Sequence, residues 1–183
     1  LGAGDLGDDL FQTTASLLAQ MAIPTVCALN GNVFGGGVEL ALSCDFRIGV
    51  EGSRMRVPAA AIGLCYPPEG ISRYVQRLGV DAAMRILVAS EQFDAQGMLH
   101  IGFLDQLVLP GQLERASNAY AHRIAGLAPL AIQSMKRIVN QAAAGAIDDQ
   151  EANALVERCL KSTDLQEGLS AQREKREPRF KGQ

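Results

Sequence analysis

The chain has 183 residues, 48% of them apolar and 20% charged, with a formal net charge of -3. That length suits one domain with a real core. The mildly acidic balance gives no electrostatic reason to expect a nucleic acid or an anionic membrane as partner. No apolar run approaches the roughly 18–20 residues needed to span a bilayer, and no signal-peptide pattern opens the sequence. Cys27, Cys44, Cys65 and Cys159 are widely spaced and form no C-x-x-C pair. Cys27 and Cys44 sit in apolar runs, where a thiol behaves as a small hydrophobe. A reduced, cytoplasmic setting is the simplest expectation. The opening Leu1-Gly2-Ala3-Gly4 lacks an initiator Met and reads as the middle of a protein, so an N-terminal portion is expected to be missing.

Asp8 and Asp9 can cap a first helix whose apolar positions Leu10, Phe11, Leu17, Leu18 and Met21 follow helical spacing, with Pro24 stopping it. Thr25 to Leu29 is a short β-rich run, and Asn30-Gly31 signals a turn. Gly35-Gly36-Gly37 leads into a short helix from Val38 to Leu42, and Phe46 to Val50 reads as a second strand. This strand–glycine turn–helix–strand order predicts an α/β layered core. Gly63 to Gly70 is expected to be loop, broken by Pro67-Pro68. A helix follows with Ile71, Tyr74, Val75 and Leu78 on one face and Gly79 as its C-terminal cap. Asp81 starts the next helix, and Asp94 a short one ending near Gly102. Leu104 to Leu109 is a last strand. Helices are then predicted at about Gln112 to Ile124, Pro129 to Ala144 and Asp148 to Leu160, with one more inside Thr163 to Phe180. The organisation read from this pattern is a core over residues 1–125 and a helical region of the same domain over 126–183.

The glycine run carries the most chemical information. Three glycines before a helix let the backbone approach a ligand closely, and the helix start adds positive partial charge. A developing oxyanion requires such donors, each typically worth roughly 10²–10³ in rate. Glu39 lies three residues beyond Gly36, near enough for its carboxylate to sit beside the same ligand. The same residues also read as tight packing, with Glu39 complementing the helix dipole.

Pro24 to Gly31, then Gly35-Gly36-Gly37-Val38-Glu39-Leu40-Ala41, then Cys44-Asp45, resembles the signature stretch of the crotonase superfamily, the enoyl-CoA hydratases and isomerases. Collinear matches follow at Pro58, Gly63, Arg73, Ala95-Gln96, Gly102, Ala128-Pro129-Leu130-Ala131, Asp164, Glu167-Gly168 and Glu174 to Phe180. The resemblance runs from about Asp8 to the last residues. It implies an α/β fold of repeated ββα turns forming a spiral core, followed by C-terminal helices that mediate assembly into a homotrimer or a hexamer of two trimers. It implies an acyl-CoA or enoyl-CoA substrate, with CoA carried as part of the thioester and no separate cofactor or metal. Gly36 would donate one of two backbone N–H groups to the thioester carbonyl, Glu39 would be the first of two acid–base glutamates, and Lys175 would lie near the CoA nucleotide. The second N–H donor would come from an Ala-Gly-x-Asp-Leu segment. Ala3-Gly4-Asp5-Leu6 resembles that segment with one residue missing.

One departure bears on the reaction. The hydratases of the superfamily carry their second glutamate directly after the proline that Pro58 matches, and this chain has Ala59 there. Losing a positioned acid–base group typically costs on the order of 10²–10⁴. An isomerase or lyase outcome is therefore expected over efficient hydration. Tyr66, in Gly63-Leu64-Cys65-Tyr66, stands where some decarboxylases of the superfamily place an active-site tyrosine, and it reads equally as a loop tyrosine packing its ring. Glu69 either replaces the missing carboxylate or caps the helix beginning near Ile71. The third alternative is a non-catalytic protein that binds CoA thioesters. Gly2 to Gly7 matches G-x-G-x-x-G literally, but no strand precedes it and Asp5, Asp8 and Asp9 would repel a pyrophosphate. His100 and His122 have no paired ligand at helical spacing and read as ordinary helix residues.

Overall fold

Six short strands and eight α-helices make up the computed structural model, which describes residues 9–183. Helix α1 (Asp9–Gln20) comes first. Two successive ββα turns follow: β1 (Val26–Leu29), β2 (Val33–Phe34) and α2 (Gly36–Ser43), then β3 (Phe46–Val50), β4 (Arg54–Arg56) and α3 (Pro68–Ala83). A further pass adds β5 (Phe93–Asp94), α4 (Ala95–His100) and β6 (Gln106–Val108). The strands stack turn upon turn. β1, β3 and β6 form one parallel sheet, with Val26 opposite Phe46 and Ile48 opposite Gln106. β2 runs parallel to β4, which pairs antiparallel with β5. Parallel neighbours need a long crossover between them, and the helices supply it.

The core lies inside these turns, where Val38, Leu42, Ile48, Met55, Ile86 and Phe103 are all fully buried. At β3, Gly49 leaves room for Leu104, whose Cδ1 would stand 2.7 Å from an added Cβ. Arg47, also buried, ties the same two segments: its Nε donates to the Phe103 carbonyl and its backbone N–H to Asp105 Oδ2 at 2.7 Å.

Two expectations about helix faces hold only in part, with Tyr74 of the predicted α3 face fully buried and Leu78 packed on the core. Leu10 and Leu17 of α1, and Met21 just past its end, are 66%, 64% and 40% exposed, and the buried position is Ala15. On α3, Ile71 and Val75 are exposed, while the inward stripe is Gly70, Arg73, Tyr74 and Arg77, at i, i+3, i+4 and i+7. α3 therefore turns Gly70, Arg73 and Arg77 toward α2 alongside Tyr74, and α1 lays the Phe11 ring against Gly36. Arg77 shows why this is stable. Its guanidinium donates to the carbonyls of Leu42 and Cys44 at 3.2 and 2.7 Å, closing the carbonyl end of α2 where a cation is favoured.

Two smaller differences have local causes. β2, β4 and β5 have two or three residues each, too few to show an alternating pattern. Residues 63–70 are not loop throughout, because Pro68 occupies the first helical turn of α3, where its missing N–H has no acceptor to lose. Gly79, at φ 79° and ψ 170°, ends the first helical stretch of α3 as expected, and the chain resumes helical geometry beyond it and passes into a π-helical turn over Met84–Val88. Asp94 caps α4 as expected, accepting from Gly97 N at 2.7 Å.

The chain gathers into two compact units, one of residues up to Met21 with Thr25–Asn118, the other of Ala22–Pro24 with Ala119–Gln183. The division falls within α5 (Leu113–Ala125). The second unit holds α6 (Pro129–Ala143), α7 (Asp149–Leu160) and α8 (Thr163–Glu174). Asp148 and Ser162 cap α7 and α8 through side-chain oxygens. The buried carboxylate of Asp164 accepts from Lys181 N and Gly182 N at 2.7 and 2.8 Å, pinning the closing residues to α8. Among the described residues no helix is long and apolar enough to cross a membrane.

Candidate functional site

The glycine turn does what its composition predicts. Gly35 adopts φ 51°, ψ -125°, a conformation that L side chains rarely enter, and its N–H is held by the Arg56 carbonyl at 3.0 Å. α2 therefore begins abruptly, and the amides of Gly36 and Gly37 stand in its first turn, where no carbonyl lies one turn back to receive them. Gly36 also has a steric role. A Cβ there would meet the ring of Phe11 on α1 at 3.0 Å, so the aromatic ring lies directly over the Gly36 backbone.

Glu39, one helical turn on, is completely buried. Its Oε1 pairs with Arg73 Nη1 at 2.5 Å and its Oε2 accepts from Gln12 Nε2 at 3.4 Å. Arg73 is steadied in turn by Ser16 Oγ at 3.3 Å. Gly70 makes the approach possible: an added Cβ would stand 3.1 and 3.2 Å from the two Glu39 oxygens and 3.1 Å from Tyr66 Cδ1. Burial pushes the Glu39 carboxyl above the ordinary carboxylate range, with the Arg73 charge and the Gln12 and Arg73 hydrogen bonds pulling against it. The net direction is upward, which suits a group that must both give and take a proton.

Tyr66 joins this cluster. Its ring meets that of Tyr74 edge to face, with centroids 5.9 Å apart. Burial, with the nearby Glu39 carboxylate second, raises the Tyr66 phenol, so it holds its proton across the neutral range. Tyr74 is fully buried, and its hydroxyl has no hydrogen bond of ordinary geometry among the described residues. The Gln12 Oε1 atom is likewise buried and unpaired.

Three of the sequence-predicted residues thus fall in one place: Gly36 and Glu39 on α2, and Tyr66 on the loop before α3. Ala59 contributes only a methyl group to the core, and its carbonyl accepts from Ile62 N and Leu64 N at 3.1 and 2.9 Å. Glu69 is exposed in the first turn of α3. Lys175 belongs to the second unit, exposed in left-handed geometry (φ 53°) just past α8. The Ala3-Gly4-Asp5-Leu6 segment lies outside the described residues. Among those residues, no three His, Cys, Asp or Glu side chains gather as metal ligands would.

Gln12, Ser16 and Tyr74 also line this cluster, and no local pattern in the sequence pairs Arg73 with Glu39. The signal for Arg73 was the polar i, i+3, i+4, i+7 stripe of α3, which looks like a solvated face. Nothing local marks Gln12 or Ser16, since only the packing of α1 on α2 gives them meaning.

The enoyl-CoA hydratase/isomerase family model matches residues 7–183. A Mycobacterium bovis protein named as a probable enoyl-CoA hydratase, echA6, is 34% identical over 182 residues, covering 98% of this chain and 72% of its own length. The carnitinyl-CoA dehydratase of Proteus mirabilis is 32% identical over 167 residues, 87% of this chain and 63% of that protein. Among solved structures, the enoyl-CoA hydratase of Bacillus anthracis superposes with a TM-score of 0.86 at 28% identity, over 96% of this chain and 69% of that one. The chain therefore spans about two thirds of the length of these relatives.

Proposed function

Because this chain belongs to the enoyl-CoA hydratase/isomerase family and has its spiral fold, we propose that it binds an acyl-CoA thioester and stabilises the enolate formed at the α-carbon. The observation that carries the reading is the buried Glu39 carboxyl one turn beyond the first-turn amide of Gly36 on a single short helix. Gly36 N–H polarises the thioester carbonyl, and negative charge developing on that oxygen is met by a fixed donor at a helix start. Glu39 takes the proton from carbon and returns it. Arg73 holds the carboxylate in place and keeps its pKa from rising further. For substrate to reach these groups, the Phe11 ring and the Gln12 amide must move off Gly36 and Glu39.

With alanine at position 59 and no second carboxylate in the cluster among the described residues, one acid–base group serves better for moving a double bond than for adding water. The favoured outcome is therefore isomerisation or a lyase step. Tyr66 supports the lyase form, since a protonated phenol beside Glu39 can orient a substrate carboxylate or protonate an enolate. Lys175 is assigned to the CoA nucleotide, and assembly to a homotrimer or a hexamer of two trimers.

The test is turnover of short- and medium-chain 2-enoyl- and 3-enoyl-CoA by the protein and its Glu39→Gln variant. Turnover should fall by about 10²–10⁴ in the variant. Equal turnover by both would remove Glu39 from the chemistry. Activity confined to β-carboxylated acyl-CoA, and lost in Tyr66→Phe, would select the lyase form.

A further inference from the structure

The two oxygens of the Glu39 carboxyl have different neighbours, and the difference fixes where a proton can reside. Oε1 is held by Arg73 Nη1 at 2.5 Å, and a guanidinium has only donors, so a proton placed there would meet an N–H head on. Oε2 meets the Gln12 carboxamide, whose Nε2 lies 3.4 Å away. With a proton on Oε2, that contact too becomes donor against donor. The acceptor that resolves it belongs to the same carboxamide: Gln12 Oε1 is buried and has no hydrogen-bond partner among the described residues. We propose that Gln12 is a two-state positioning residue for Glu39. It donates through Nε2 to the ionised carboxylate and, with its amide turned over, accepts through Oε1 from the protonated one.

The last side-chain torsion of glutamine is broad and roughly two-fold, so a half turn exchanges Oε1 and Nε2 with little displacement of the chain. No donor holds the Gln12 Oε1 atom in its present place, so nothing among the described residues locks the amide one way. The helix beneath it is anchored separately. Gln12 and Ser16 are four residues apart on one face of α1, and Ser16 Oγ accepts from Arg73 Nη2 at 3.3 Å. One face of α1 thus reaches both members of the Glu39–Arg73 pair. Arg73 and Tyr74 of α3, with Tyr66 of the loop before it, are the charged and titratable groups facing Glu39 among the described residues. Burial raises both phenols, so they keep their protons through neutral pH while Glu39 changes state.

This deepens the reading of Glu39 as the group that moves a proton, and its kinetic consequence rests on that reading. The carboxamide leaves Oε2 when substrate enters and returns when product departs. A group that only donates would fit a carboxylate returned without its proton and no other. An amide that turns over rebuilds the resting site whichever state the reaction leaves behind.

The test is infrared difference spectroscopy of the full chain across pH, with Gln12→Met and Glu39→Gln beside it. The protonated Glu39 carboxyl gives a C=O stretching band, identified by its absence in Glu39→Gln. In Gln12→Met that band should move to higher frequency, because its hydroxyl has lost an acceptor. Its titration midpoint should stay within about half a pH unit of wild type, since support is withdrawn from both proton states. A midpoint raised by about one unit or more, with the band unmoved, would show Gln12 acting as a donor alone and would overturn the inference. Where Gln12→Met does not fold, the wild-type chain decides: the Gln12 side-chain nitrogen, followed by NMR, should titrate together with the carboxyl band. A resonance that stays flat through that transition sinks the idea. On whichever thioester turns over, Gln12→Met should lower KM about two- to tenfold with kcat within about twofold, because the amide has left before the chemistry. A lower kcat with the band in place would mean a packing role and count against the switch. The infrared reading needs no turnover, so failure of the amide switch and failure of the proposed reaction are told apart.

Discussion

Replacing Arg73 by leucine isolates the energetics of the site. The substitution removes the Nη1 contact at 2.5 Å from a carboxylate that has no solvent exposure, leaving the Gln12 amide at 3.4 Å as its remaining donor among the described residues. Breaking a buried pair in this way typically costs about 3–5 kcal/mol when the stranded charge has no escape. Here it has one, because Glu39 already sits above its ordinary pKa and can take up a proton. The folded protein then binds a proton that the unfolded chain releases at lower pH, so stability must fall as pH rises between the two pKa values. In the wild type that window closes early, because Arg73 opposes the upward shift. In Arg73→Leu it extends to higher pH, with a slope approaching about 1.4 kcal/mol per pH unit. We expect a loss of about 3 kcal/mol near pH 8 that shrinks to about 1 kcal/mol or less near pH 5. The assay is urea denaturation across that range, repeated in a Glu39→Gln background, where Arg73→Leu should cost at least about 2 kcal/mol less. A loss that is equally large at both pH values, or that adds fully to Glu39→Gln, would refute the reasoning.

Gly70→Ala should lower both stability, by about 1–3 kcal/mol, and any turnover that depends on Glu39, because the new methyl group would press on both carboxylate oxygens and on Tyr66. Thermal melting and the enoyl-CoA assay read the two effects separately, and unchanged values for both would show that α3 can recede freely. Tyr74→Phe should leave stability within about 0.5 kcal/mol of wild type or raise it, since the hydroxyl it removes is buried without a bond of ordinary geometry. A loss above about 1 kcal/mol would reveal a hydrogen bond to the Tyr66 phenol.

What the sequence could reveal depended on whether a residue's meaning was local. The glycine turn, β1, α2, β3 and the helix starts at Asp94 and Asp148 are specified by neighbours within a few positions, and their boundaries agree with the structure to within a residue or two. The short strands β2, β4 and β5 exist only because each turn of the spiral lays a partner alongside, so no pattern within two or three residues can announce them. The faces of α1 and α3 were only partly legible for a related reason. Periodicity finds an apolar stripe but does not say which way it turns, and here the ion pair, the Arg77 cap and the small residues outcompete the aliphatic stripe for contact with α2. Glu39 and Gly36 were legible as a pair because one helix carries both. Arg73 and Gln12 reach them from other helices.

The pairing of β3 with β6 joins Ile48 to Gln106, and Arg47 reinforces that junction through Phe103 and Asp105. Everything between those points, including α3 and α4, must already be looped out when the two strands meet. Such long-range closure is paid in chain entropy before any contact rewards it. The β1–β3 ladder closes a much shorter loop, one that holds only β2 and α2. Assembly therefore has a preferred direction: the glycine turn and its helix can be clamped early, and the third parallel strand arrives last. During synthesis the helix bearing Glu39 would be in place on its first two strands before the ribosome had delivered β6.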